Sequence, residues 1–426
     1  MPWGQFMKVF SATLVFALAA LPALADEPDG LKLPPGFHAS VVAEGLGQVR
    51  HMAVRGNGDI FISTPRDRRT GAGGGIIALR LDANHKAGQP EPFGIVDGGT
   101  GIRFYRGALY AATPSRIYRY TFTGNKLLPN SEPQIVVDGM TPARGFNRGL
   151  AFDNKGNMFV SLDGVGNACE DPRAPKGSKP VGVKPCPDLA MRAGVWRFSA
   201  GKLGQKFSDG EQLATGIRDT TALDWSAKDG GLYVVTHGRD DANQEWPDMI
   251  SASDDEHIAD EMHKITKGID IGWPYSYYDA VKKVRLTAPE YGGDGKTLAT
   301  GNYATPMATF HSGRAAPLDL LFYTGNKFPV EYRGGAFVVL HGGGGAQSPA
   351  GHNGYNIMFM PFDRNGKAGD ARVFADGFAG PDSSNKNSGG KAKYRPVGAA
   401  VGPDGALYVA DSVKGRIWRI AYGEAG

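Results

Sequence analysis

Apolar residues along this chain come in short runs cut by Gly, Asp and Asn, and the runs fall into a repeating unit. Each unit is an apolar strand, a turn built on Gly, Asp or Asn, a second strand of aromatic and branched residues, and a further strand with Arg or Lys near its end. It reads first as Val49 to Val54 with Asn57 to Ser63, then as Gly101 to Phe104 with Gly107 to Ala111, and third as Arg148 to Phe152 with Lys155 to Ser161. The fourth is Thr221 to Trp225 with Gly230 to Val235, and the fifth, more diverged, is Pro317 to Leu320 with Gly335 to Val339. Val397 to Val401 with Pro403 to Asp411 is the sixth and the cleanest. Further strands follow at Arg116 to Tyr120, Val195 to Phe198 and Arg416 to Ile420. Helical spacing of i, i+3, i+4 is scarce beyond the first residues, so each unit predicts a four-stranded antiparallel blade. Six blades of about 65 residues each, loops included, predict an all-β six-bladed β-propeller as one domain, covering residues 26–426.

The first 25 residues break the pattern: Lys8, an apolar run from Val9 to Leu21, and the small-residue exit Ala23-Leu24-Ala25 before Asp26. The run is short for a membrane span, and the layout is that of a signal peptide, which predicts a periplasmic or secreted protein beginning near Asp26. Loss of Lys8 takes the formal net charge from +4 to +3, and charges spread this evenly leave no footprint for nucleic acid. No later apolar run reaches spanning length, so no membrane span is expected in the mature chain. Cys169 and Cys186, the only cysteines, lie in a Gly/Pro/Lys-rich stretch and are expected to pair in an oxidising compartment. They lack the companions of a zinc site, and no C-x-x-C-H haem signature occurs. Irregular stretches at Asn167 to Arg192, Asp240 to Lys264, Asp279 to Pro306 and Gly342 to Asn356 are expected to gather at one face and shape the central mouth.

Several motifs follow one another in a telling order: Ala214-Thr215-Gly216-Ile217-Arg218-Asp219, Trp225, His237-Gly238-Arg239-Asp240, Asp260-Glu261, Gly272-Trp273-Pro274-Tyr275, Phe322-Tyr323-Thr324-Gly325 with Phe328-Pro329, and Tyr394-Arg395-Pro396 before Pro403-Asp404-Gly405. Through their order and spacing the chain resembles the soluble pyrroloquinoline-quinone-dependent glucose and sorbosone (aldose sugar) dehydrogenases. The resemblance covers most of the mature chain and is strongest from Arg148 to Tyr277 and from Tyr355 to Tyr422. It implies an oxidoreductase that oxidises an aldose, a related alcohol or an aldehyde with pyrroloquinoline quinone (PQQ) and calcium, and passes electrons to an external acceptor. A quinone bearing three carboxylates needs fixed cations, and the resemblance implies Lys393 and Arg395 for that role, with Asp411 as the matching acid. Arg218 matches the arginine that holds the quinone oxygen, and Asp219 stands where the family usually has asparagine. The turn Gly238-Arg239 matches a pair of backbone carbonyls that bind calcium, which as a hard cation would polarise the quinone carbonyl. An ordinary glycine turn is the other reading of the same residues.

Two departures bear on activity. Five residues before Leu150, where the family has its histidine base, this chain has Gly145, and neither Arg144 nor Arg148 can take a proton near neutral pH. His237 and His341, at strand ends near the expected mouth, are the candidate bases, with His311 a weaker one. After His341 the family's basic stretch is replaced by Gly342 to Gln347, which carries no charge. Two other classes stay open: a calcium-dependent propeller lactonase or esterase, with Asn147, Asp219 and Asp224 as ligands, and a non-catalytic extracytoplasmic binding propeller.

Overall fold

The computed structural model describes residues 1, 24–26, 30–66, 73–95, 97–141, 148–175, 179–310, 315–343, 354–387 and 390–423. All six expected hairpins form, each as the first two strands of a mainly antiparallel sheet, and the sheets stand around one axis as the blades of a propeller. The innermost strands are Met52–Val54, Ile102–Tyr105, Leu150–Phe152, Ala222–Ser226, Pro317–Phe322 and Pro396–Val401. Each blade is sandwiched between two others, so its second strand is covered on both faces. Ala108–Ala112, Gly231–Thr236, Ala336–Leu340 and Leu407–Asp411 are buried throughout, which is why they read as continuous apolar runs and not as alternation.

The sixth blade draws its outer strand from the other end of the chain: Phe37–Ala43 pairs antiparallel with Ile417–Tyr422, Phe37 opposite Tyr422. This strand was not anticipated, because a lone strand has no hairpin turn beside it to announce it. The Phe37 ring sits edge-on to Phe328 at 4.8 Å and to Phe374 at 5.0 Å, so closure also builds core.

Near the axis the blades touch through backbone. A Cβ at Gly149 would press into the Thr221 carbonyl and the Leu223 side chain, so glycine there lets blades three and four approach. Deeper in the channel the Arg103 guanidinium donates to Asp319 Oδ1 at 2.7 Å, and Asp319 Oδ2 accepts the Ala399 N–H at 3.0 Å. One carboxylate thus ties blades two, five and six together.

Three of the four long stretches meet on one side, while residues 344–353 of the fourth lie outside the described residues. Trp273 Nε1 donates to the Asn167 carbonyl at 2.8 Å, the Tyr291 hydroxyl donates to Ala168 at 2.8 Å, and Asn167 Nδ2 donates to Asp240 at 2.9 Å. Cys169 and Cys186 are joined in a disulfide within this layer. Two stretches are less irregular than expected: Asp260–Ile265 is the third strand of blade four, and Ser276–Asp279 pairs with Val284–Thr287 as an extra hairpin. No helix among the described residues is long and apolar enough to cross a membrane. Residues 2–23 of the expected signal peptide lie outside the described residues.

Candidate functional site

Residues just before the inner strands and just after the second strands converge at one end of the channel. Arg218 and Asp219 precede Ala222–Ser226, His237 and Gly238 follow Gly231–Thr236, His341 follows Ala336–Leu340, and Arg395 precedes Pro396–Val401. Polar links lock the blades here. His237 Nε2 donates to the Pro317 carbonyl at 3.0 Å, and His341 Nε2 lies 2.8 Å from Ser412 Oγ. The Arg395 guanidinium donates to the carbonyl of Gly342, so the uncharged loop after His341 receives a cation in place of supplying one.

Burial pushes His341 well below the ordinary histidine value, and Arg395, Arg50 and His237 push it further the same way. Three cationic or potentially cationic groups therefore act on one imidazole.

Arg218 is nearly buried and stretched between two acceptors, the Gly238 carbonyl at 2.6 Å and Asp240 Oδ2 at 2.6 Å. Its Nε–H is buried with no partner among the described residues, a donor that an oxygen of a bound ligand would satisfy. The Gly238 oxygen expected to bind calcium is thus held by a guanidinium. Arg239 turns away: its side chain is buried in an ion-pair network with Glu290 (2.9 Å) and Glu245 (2.6 Å), braced by Trp246 Nε1 on Glu290. As arranged, the Gly238 carbonyl serves an arginine, which calcium, taking six or more oxygens, would have to displace there. Among the described residues, Asp254, His257 and Asp279 come close enough to hold a metal, but the Lys282 ammonium already lies 2.8 Å from Asp254 and 3.3 Å from Asp279.

The last-blade residues separate. Arg395 faces the mouth, whereas Lys393 is exposed, its ammonium 5.3 Å from the Tyr394 ring centre. Asp411 is fully buried and organises backbone, accepting the N–H groups of Arg395 at 2.6 Å, Val413 at 3.1 Å and Lys414 at 2.7 Å. Asp219 is half-buried at the mouth beside Asp163, a residue sequence reasoning missed. Asp163 stands one position past its blade's second strand, Asn157–Leu162, the offset that His237 and His341 have in theirs, and aligning strand ends would have found it. Asp224 lies away from both, accepting the Phe322 N–H at 2.8 Å and lining, with Arg103, the cavity at the opposite end of the channel. The carboxylates of the lactonase reading are therefore not gathered at one point. Gly145, Arg144, Asn147, His311 and 344–347 lie outside the described residues.

A closed six-bladed ring with arginines at one mouth is a propeller of the quinoprotein sugar dehydrogenase type, the fold that the sequence resemblance implied. The chain belongs to the TrAA12-like family, which it matches over residues 31–269 and 287–423. It is 25% identical over 345 residues to a pyrroloquinoline quinone-dependent sugar dehydrogenase of Hypocrea jecorina, covering 75% of this chain and 73% of that one. An uncharacterised protein of Borreliella burgdorferi is 26% identical over 215 residues, half of this chain and 49% of that protein, so the match spans about half of that relative. Among solved structures, the holo form of the pyranose dehydrogenase PQQ domain from Coprinopsis cinerea superposes with a TM-score of 0.71 at 17% identity, over 93% of this chain and 98% of that one. At that identity the likeness establishes the fold.

Proposed function

We propose that this protein is an exported PQQ-dependent oxidoreductase that oxidises a hydroxyl or aldehyde carbon of an aldose, sorbosone-like sugar or related alcohol and passes the electrons to an external acceptor. The observation that carries this reading is the pair of guanidinium groups at the mouth: Arg218, held by the Gly238 carbonyl and Asp240 with its Nε–H left without a partner among the described residues, and Arg395, held by the Gly342 carbonyl. Fixed guanidinium donors suit a quinone bearing carboxylates, and the named relatives support it. Arg395 would hold a carboxylate, and Arg218, with its unpartnered Nε–H, a quinone oxygen. The bound quinone would supply the hydride acceptor. The chain's own part is to fix the reacting carbon at the mouth and to remove the hydroxyl proton. The reading does not require calcium at Gly238, because the Arg218 guanidinium already supplies positive charge there. The disulfide and the signal peptide expected from the sequence fit an extracytoplasmic site of action.

Absorbance titration of the purified protein with PQQ tests this. Saturable binding is expected, unchanged by calcium or chelator and weakened about tenfold or more in Arg395→Ala through loss of a charge-assisted contact. Absence of saturable binding would sink the reading. Lactone hydrolysis without quinone, abolished by chelation, would replace it with the lactonase reading.

A further inference from the structure

Asp240 is the exposed member of the arginine arrangement at the mouth. Its carboxylate accepts from Arg218 Nη2, yet its side chain is 48% exposed, and an ion pair open to solvent contributes only about 0–1 kcal/mol. What holds Asp240 in place comes from blade three. Asn167 Nδ2 donates to the Asp240 carbonyl at 2.9 Å, and Asn167 Oδ1 accepts the Asp240 N–H at 3.0 Å, so one side-chain amide takes both main-chain groups of Asp240. Nδ2 also donates to Glu245 Oε1 at 2.9 Å, and Glu245 in turn carries Arg239 at 2.6 Å. Both donors and the acceptor of the amide are thereby committed. The main chain of Asn167 is fixed as well: its N–H donates to Glu170 Oε1 at 2.9 Å and its carbonyl accepts Trp273 Nε1 at 2.8 Å. The next residues are tied down by the Tyr291 hydroxyl on the Ala168 carbonyl and by the disulfide from Cys169 to Cys186. At the other end of this relay, Arg218 gives Nη1 to the Gly238 carbonyl and Nη2 to Asp240, which leaves Nε–H buried without a partner among the described residues. A guanidinium is a rigid plane, so two fixed acceptors on its Nη atoms set the direction of Nε–H.

We propose that Asn167 is a positioning residue for the quinone site: by clamping Asp240 it sets the plane of the Arg218 guanidinium and so aims the Nε–H at a quinone oxygen. The proposal rests on the oxidoreductase reading above and deepens it, because it makes a loop residue of blade three responsible for the cofactor arginine of blade four. The chemistry of the clamp is specific to asparagine. Aspartate has the same shape but no donors, and it would set a carboxylate against the Asp240 carbonyl and Glu245. Alanine leaves both main-chain groups of Asp240 without their side-chain partners. Either change frees the exposed Asp240 carboxylate to follow solvent, and Arg218 then keeps only the Gly238 carbonyl, about which its plane can turn.

The test has two arms. The first is nuclear magnetic resonance of the quinone-free full chain labelled with ¹⁵N-arginine, in which the Arg218 guanidinium is assigned by its loss in Arg218→Lys. The two Nη groups of Arg218 should give separate signals in the wild type, because fixed acceptors slow rotation of the guanidinium, and merged signals in Asn167→Ala and Asn167→Asp. The second arm is absorbance titration with PQQ. Asn167→Ala and Asp240→Ala should each weaken binding about three- to tenfold, as a charge-assisted contact loses its alignment. The double variant should bind within about twofold of Asp240→Ala, since residues that act as one unit are not additive. Arg218 signals already merged in the wild type, or still separate in either folded Asn167 variant, overturn the proposal, as does a double variant whose loss is the product of the two single losses. Loss of the native circular dichroism spectrum in both Asn167 variants overturns it too, because Asn167 would then hold the fold and not the arginine. Failure of the wild type to bind PQQ overturns the oxidoreductase reading instead, and the arginine spectra, recorded without quinone, still decide whether Asn167 sets Arg218.

Discussion

Asp224 shows what a single buried carboxyl does to this fold. Burial pushes it up to about 6 from an ordinary 3.8, against the opposing pull of Arg103 and the backbone donors Phe322 and Trp225, while Asp319 adds to the rise. Because its folded pKa is the higher one, the native state holds the proton more tightly than the unfolded chain. The stability it contributes is fully present below about pH 4 and is lost as pH rises through about 6. A shift of about two units corresponds to about 3 kcal/mol. Asp224→Asn keeps an oxygen for the Phe322 N–H and does not titrate. Urea midpoints measured between about pH 4 and pH 7 should therefore fall less steeply for the variant than for the wild type. The variant will keep some slope as well, since Asp163 and Asp260 are shifted in the same direction. Equal slopes would mean that Asp224 titrates as an ordinary surface acid.

The hairpin turns explain why the blades were readable. Asp82, Asp153 and Asp363 make one turn three times over, each Oδ1 accepting the N–H groups two and four residues on, as in Asn84 and Lys86 at 2.9 Å each, Lys155 at 2.8 Å with Asn157 at 2.9 Å, and Asn365 at 2.8 Å with Lys367 at 2.9 Å. Asp153 adds a third bond, from Asn157 Nδ2. Asp153→Ala should cost about 2 kcal/mol in urea unfolding, the scale of hydrogen bonds to a charged acceptor, and a loss below about 0.5 kcal/mol would mean that the turn forms without its side chain. Asp153 turns the hairpin of blade three, and Asp82 and Asp363 turn the third strand into the fourth in blades one and five; because turn chemistry of this kind is local, strand reversals were legible in the sequence. What failed was non-local. Lys393 and Arg395 look alike in sequence, but the Lys393 N–H pairs with Ala379 and the Tyr394 N–H with Phe378, and this pairing with a distant segment decides which cation meets the mouth. Gly238 was legible as a turn, whereas the guanidinium on its carbonyl comes from another segment of the blade. Asp163 was passed over because nothing beside it in sequence marks it; the Thr220 N–H that its Oδ1 accepts is 57 positions away in the chain.

The ring as a whole depends on a seam that lies far apart in sequence. Phe37–Ala43 and Ile417–Tyr422 join the chain's two ends in one blade, and the Phe37 ring bridges Phe328, Tyr332, Phe374 and Tyr422 at 4.8 to 5.1 Å. Removing the strand would uncover Ile417, Trp418 and Ile420, all now fully buried, and leave blade six with an unpaired outer edge. A chain starting at residue 44 should therefore lose cooperative unfolding and aggregate. The antiparallel register offers a direct remedy: Phe37 lies opposite Tyr422, and the Gly423 N–H donates to the Gly36 carbonyl at 2.8 Å. The two ends of this pair are close enough for a short turn to join them. A permuted chain running from residue 44 to 423, then through a short Asn-Gly turn into residues 36–43, should recover the parent's unfolding free energy in urea to within about 1 kcal/mol, since loop closure changes stability only slowly with loop length. Phe37→Ala within that permutant should cost about 3 kcal/mol or more, as for other buried aromatic truncations. A permutant that stays aggregated would show that the segment before Gly36 is needed for closure. A truncated chain that unfolds cooperatively would show that the six blades hold together without the seam.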